Sequence, residues 1–73
     1  MTETLDYKTH VANLEERGYR CTYYGETAQH NGLAYFENES QVLRIEYAWN
    51  KIGENQYVAG HILDIEDVTV CYR

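Results

Sequence analysis

The chain has no proline, two cysteines, one phenylalanine, one tryptophan and one methionine among its 73 residues. Without proline it has no stiff linker and no polyproline recognition segment. Its five glycines, at 18, 25, 32, 53 and 60, stand singly. None belongs to a G-x-G-x-x-G or P-loop spacing, so the familiar devices for cradling a phosphate are missing. Cys21 and Cys71 form no C-x-x-C pair, and His10, His30 and His61 form no H-x-x-x-H pair. Spacing therefore points to no metal ligand set and no cofactor. No apolar run approaches the roughly 20 residues of a membrane span. Residues 1–6 are polar and acidic, unlike a secretory leader, so the expected place is cytoplasmic with both thiols reduced. A disulfide between Cys21 and Cys71 stays open as an alternative if the two end strands are neighbours.

Positive charge is also scarce. Six Lys and Arg face twelve Asp and Glu, for a net charge of −6. A nucleic-acid binder needs a basic stripe to displace counterions. Lys8, Arg17, Arg20, Arg44, Lys51 and Arg73 are instead scattered singly. Direct binding to DNA, RNA or an anionic membrane is disfavoured. The same acidity attracts a basic protein surface, including one that a host protein uses to hold nucleic acid. It also suits plain solubility.

Residues 1–73 are expected to form a single compact domain, too small for a catalytic fold with a separate substrate lobe. Leu, Ile, Val and Phe number only 15, near the ~20% level at which charged chains tend towards disorder. Tyrosine numbers eight, so tyrosine must supply part of the core.

One helix is expected over residues 4–17. Tyr7, Val11 and Leu14 fall on one face, with Leu5 and Ala12 near it. Thr2 or Thr4 is the expected cap, and Gly18 the stop. The period then changes to two: Tyr19, Cys21 and Tyr23 alternate with Arg20, Thr22 and Tyr24, as on a strand that Gly25 interrupts. Asn31-Gly32 is the strongest hairpin signal and would join a short strand at 27–30 to one at 33–37. Asn38, Glu39 and Ser40 make the next turn. Residues 41–50 fit either a helix face or a strand, and the unbroken alternation favours the strand. A loop through Lys51, Gly53 and Asn55 leads to a strand at 57–65, with Gly60 as a bulge. Residues 68–72 would close the sheet. The expected fold is α+β, one N-terminal helix packed on a four- or five-stranded antiparallel sheet. Trp49 and several tyrosines should lie beneath the helix, and the other sheet face should be partly open.

For chemistry the sequence offers little. Both cysteines alternate with apolar or aromatic residues and read as small buried hydrophobes. His10 reads as helix exterior, His30 as a turn residue and His61 as a strand residue. The carboxylates sit in turns and at element ends, where few walls exist to push their pKa values apart. The chain is expected to act by binding, not by catalysis.

The acidic clusters carry the binding expectation. On a strand, side chains at i and i+2 point the same way about 6.7 Å apart, a spacing like that of neighbouring phosphates. Glu37 with Glu39, and Asp64 with Glu66, would present carboxylates in this way, supported by Asp67, Glu26, Glu46 and Glu54. Tyr23, Tyr24 and Tyr35 would anchor the contact, since tyrosine brings large area, few rotors and a polar tip. The same acids also protect strand edges from aggregation. In size and acidity, though in no motif, the chain resembles counter-defence proteins of bacterial viruses such as anti-CRISPR and anti-restriction proteins. The expected function is inhibition of a nucleic-acid-handling protein at its basic surface. The alternatives are a homo-oligomer built through an edge strand such as 68–72, and a small metal or cysteine enzyme.

Overall fold

The computed structural model describes residues 6–72. Helix α1 (Tyr7–Glu16) is followed by β1 (Arg20–Glu26), β2 (Gly32–Glu37), β3 (Val42–Gly53), β4 (Gln56–Asp67) and a single helical turn, α2 (Thr69–Tyr72). The four strands form one antiparallel sheet in the order β1-β2-β3-β4. The fold is α+β, with one N-terminal helix on a four-stranded antiparallel sheet.

The start of α1 is set by Asp6, whose carboxylate accepts the Thr9 N–H at 3.1 Å. That satisfies one of the donors left over at a helix start. Thr2, Thr4 and Leu5, expected to cap or line this helix, lie outside the described residues. Gly18 ends it with φ 87. The Gly18 N–H donates to the Glu15 carbonyl at 3.1 Å and the Tyr19 N–H to that of Leu14 at 3.0 Å, a left-handed glycine stop. Tyr7 and Leu14 are buried and Val11 packs against them, while Ala12 is exposed.

Three local expectations change. Asn31-Gly32 does not make a two-residue turn, and residues 27–30 are not a strand. Glu26 pairs directly with Gly32, and the loop between them takes its left-handed residue at His30, φ 64. The Thr27 side chain holds this loop by accepting the amides of Gln29 and Asn31. Gly32 is needed for another reason: a Cβ there would stand 2.2 Å from the Tyr47 ring. Second, β1 runs on through Gly25 to Glu26 and slips register between Cys21 and Tyr23. That bulge puts Cys21 and Tyr23 on opposite faces, against their even spacing in sequence. Third, residues 68–72 do not close the sheet. The Asp67 carboxylate takes the Thr69 N–H at 3.0 Å and its hydroxyl as well, and the chain turns into α2.

The ambiguity at residues 41–50 resolves as strand, with β3 paired on both sides. On β4 two residues, Gly60 and His61, oppose the single Ala48 between the Tyr47–Ile62 and Trp49–Ala59 pairs. This is the bulge expected at Gly60. The core gathers Tyr7, Leu14, Tyr19, Ala34, Phe36, Ile45 and Tyr47. Tyr7 stacks on Tyr47 with centroids 3.9 Å apart and meets Phe36 edge-on at 6.5 Å. Tyrosine thus supplies three of these seven side chains. Trp49, expected beneath the helix, is 41% exposed instead, because it lies one row past the Tyr47 that α1 covers.

Candidate functional site

Cross-strand partners share a face of a sheet, so the register sorts every strand residue. The face under α1 has the rows Cys21–Phe36–Leu43–Asp67, Tyr24–Ala34–Ile45–Ile65 and Glu26–Gly32–Tyr47–Ile62. The opposite, open face has three rows: Arg20–Glu37–Val42, then Tyr23–Tyr35–Arg44–Glu66, then Gly25–Leu33–Glu46–Asp64.

Five of the eight expected binding residues therefore meet on the open face: Tyr23, Tyr35, Glu37, Asp64 and Glu66. Three do not. Tyr24 is exposed but belongs to the helix side, opposite Ala34. Glu39 lies past the end of β2, in the turn that the Asn38 side chain builds by accepting the amides of Ser40 and Gln41. The strand spacing expected for Glu37 and Glu39 is therefore absent, whereas Asp64 and Glu66 keep it within β4. Asp67 ends a helix-side row and is engaged by Thr69 and Gln41. The Thr69 hydrogen bonds hold its carboxyl below the usual range.

The centre of the open face is a shallow groove of about 410 Å³ lined by Thr22, Tyr23, Leu33, Tyr35, Glu37 and Val42. Tyr23 and Tyr35 meet edge-to-face at 5.8 Å. Gly25 makes room for this arrangement, since a Cβ there would lie 2.7 Å from the Tyr23 ring. Val42 is buried at the groove's end, where its N–H bonds the Thr69 hydroxyl at 2.9 Å. The acids of the face are not alone. Arg44 reaches Glu46 at 3.8 Å, and Asn31 donates to Glu46 at 3.0 Å. Four carboxylates and two guanidiniums share the three rows, so the face is acidic with a basic seam. Arg20, Arg44, Leu33 and Val42 were not among the expected contacts. The alternation from Leu33 to Glu37 held the signal for Leu33, but placing the arginines needed the register.

Other chemistry finds little support. Among the described residues no group of three or more His, Cys, Asp or Glu side chains is placed to hold a metal. Cys21 and Cys71 are both free thiols. Cys21 lies on β1, half-buried against the core, and Cys71 lies exposed in α2, so only Cys21 fits the buried reading. His10 departs from expectation: it is half-buried on α1, with Nε2 lacking a hydrogen-bond partner. Burial, then Arg17, pulls its pKa below the usual 6.5. No helix among the described residues is long and apolar enough to cross a membrane. No protein-family model, curated protein or solved structure matches this chain.

Proposed function

We propose that this chain is a protein-binding domain that uses its open sheet face to occupy a basic surface on a partner. The observation that carries the reading is the row Tyr23–Tyr35–Arg44–Glu66 beside Leu33–Glu46–Asp64. It sets an aromatic groove against carboxylates on one side of a rigid sheet. Aromatic anchors flanked by polar side chains are how compact interfaces concentrate affinity. The Tyr23–Tyr35 groove would take an apolar or guanidinium-bearing side chain. Glu37, Asp64 and Glu66 would face Lys or Arg. A partner that holds nucleic acid at that basic surface would be blocked sterically and electrostatically. That is inhibition of the counter-defence type.

The test is direct binding to a nucleic-acid-handling protein recovered with the chain. Binding should weaken as salt rises, since exposed charge pairs are screened. It should be lost in the Asp64→Lys/Glu66→Lys variant, and the bound protein should release its nucleic acid. Equal binding at low and high salt, or binding retained by the variant, would overturn the proposal.

A further inference from the structure

We propose a second site, on the helix side of the sheet: a pocket for an organic cation formed by Trp49, Tyr57 and the Glu26 carboxylate. It arises because the strands differ in length. β2 pairs with β3 only as far as the Gly32–Tyr47 pair, whereas β3 and β4 stay paired on to Gly53–Gln56. Tyr7 at the start of α1 stacks on Tyr47, and Trp49, Lys51 and Tyr57 lie beyond that row. The loop between β1 and β2 fills the space where β2 would have continued. The result is a concavity of about 540 Å³ lined by Glu26, His30, Trp49 and Tyr57.

Its walls are held in place. Thr27 fixes the loop through Gln29 and Asn31, and Asn31 ties it to Glu46 on β3. The His30 Nδ1 lies 3.3 Å from the Glu26 carboxylate. Tyr47 meets Trp49 edge-to-face at 5.2 Å. Trp49 and Tyr57 remain 41% and 56% exposed.

The chemistry selects the ligand. An uncharged apolar ligand would cover both rings but would also strip water from a carboxylate and give nothing back. A quaternary ammonium or guanidinium offers charge to Glu26 and a cationic face to the two aromatic rings, where Trp is the best such partner. Lys51 stands opposite Tyr57 on the same face and is the chain's own competitor for this site. The pocket is on the other side of the sheet from Asp64 and Glu66, so it does not depend on the partner-binding face.

The chain has one tryptophan, so its emission reports the pocket directly. Choline is titrated at constant ionic strength against its neutral isostere 3,3-dimethylbutan-1-ol, with N-acetyl-arginine amide as a third arm. Saturable change with choline, at least about 3-fold tighter than with the isostere, is expected from cation–π and charge together. Glu26→Gln and Tyr57→Leu should each weaken choline about 3- to 10-fold, and Lys51→Met should tighten it. Far-UV circular dichroism checks that each variant is folded. Tighter binding of choline than of the arginine derivative assigns the site to a free or quaternary ammonium; the reverse assigns it to a protein side chain. Equal binding of the neutral isostere, an unchanged Glu26→Gln titration, or no saturable change in emission overturns the proposal. Asp64→Lys/Glu66→Lys should leave the titration as it was, which separates this site from the open face.

Discussion

Along β2 the chain alternates between two environments one residue apart. Gly32, Ala34 and Phe36 are sealed under α1, while Leu33, Tyr35 and Glu37 stay half-exposed on the other side. Among the described residues one helix has core length, and it covers a single face. The covered face holds the stacked Tyr7–Tyr47 pair and both fully buried large side chains, Phe36 and Ile45. The open face holds the edge-to-face Tyr23–Tyr35 pair and the charge rows. The same residue type therefore does two jobs. Tyrosine under the helix is structural fill; tyrosine on the open face stays at the surface. The side on which the helix packs decides between them.

The sharpest way to break this contrast is a pair of neighbouring truncations. Phe36→Ala removes a ring that is 1% exposed and should cost about 3–5 kcal/mol. A domain this small has little stability to spare, so urea denaturation should show it largely unfolded. Tyr35→Ala, next along the strand, should cost far less and leave a cooperative transition. Equal losses at the two positions would mean that the faces do not differ as described.

Gly32→Ala probes the tightest contact under the helix. Its Cβ would sit 2.2 Å from the Tyr47 ring, and forcing that ring from its stack with Tyr7 should cost about 1–3 kcal/mol. Gly18→Ala has open space around it but a positive φ, so its loss would come from backbone strain alone. Comparing the two in thermal melts separates crowding from conformation.

Alkaline pH acts on the Tyr7–Tyr47 pair of the covered face. Burial comes first among the causes that raise the phenol pKa of both Tyr7 and Tyr47 above the usual 10.0. The folded state thus holds these protons more tightly than the unfolded state. The contribution of the two phenols should be constant below about pH 10 and fall as pH rises above it, by at most about 1.4 kcal/mol per pH unit for each phenol. Tyr7→Phe should flatten the fall. At neutral pH it should cost at most about 1 kcal/mol, because the Tyr7 hydroxyl lies near those of Tyr24 and Tyr47 but makes no well-formed hydrogen bond. His10 gives the opposite limb in the same titration. Its lowered pKa means that stability falls as pH drops below 6.5.

Asp6→Ala removes the α1 cap and should cost about 1 kcal/mol, read as a lower midpoint in urea. The smallest effect belongs to the open face. Asp64→Lys/Glu66→Lys should move stability by about 0.5 kcal/mol or less while abolishing partner binding. A large loss of stability there would show that those carboxylates serve the fold rather than a partner.

Much of this architecture was legible locally. The Tyr7–Val11–Leu14 stripe and Gly18 marked α1, and alternation marked β2 and most of β3. Gly60 marked one of the two β4 bulges, the other falling at Leu63. The misreadings have two causes: a contact with a residue distant in sequence, or a short-range side-chain turn that ends a strand. Gly32 looked like a turn residue but answers to Tyr47. Residues 68–72 have strand-like composition, yet the local capture of Thr69 by Asp67 turns the chain into α2. Half of the acidic pattern failed likewise, because β2 ends at Glu37 before it reaches Glu39.

Composition and short-range pattern alone determined an acidic, proline-free chain with one helix and an antiparallel sheet, without a phosphate loop or spaced metal ligands. These properties rest on intrinsic propensity and periodicity, which act over a few residues. Only the tertiary structure decided which tyrosines are core and which are surface. It also brought Asp64 and Glu66 beside Tyr35, and Glu26 beside Trp49 and Tyr57. Those choices follow from register, from the four places where it shifts and from the side of the sheet that α1 covers. A one-residue slip moves a side chain to the other face, and the contacts that fix the slip lie far apart along the chain.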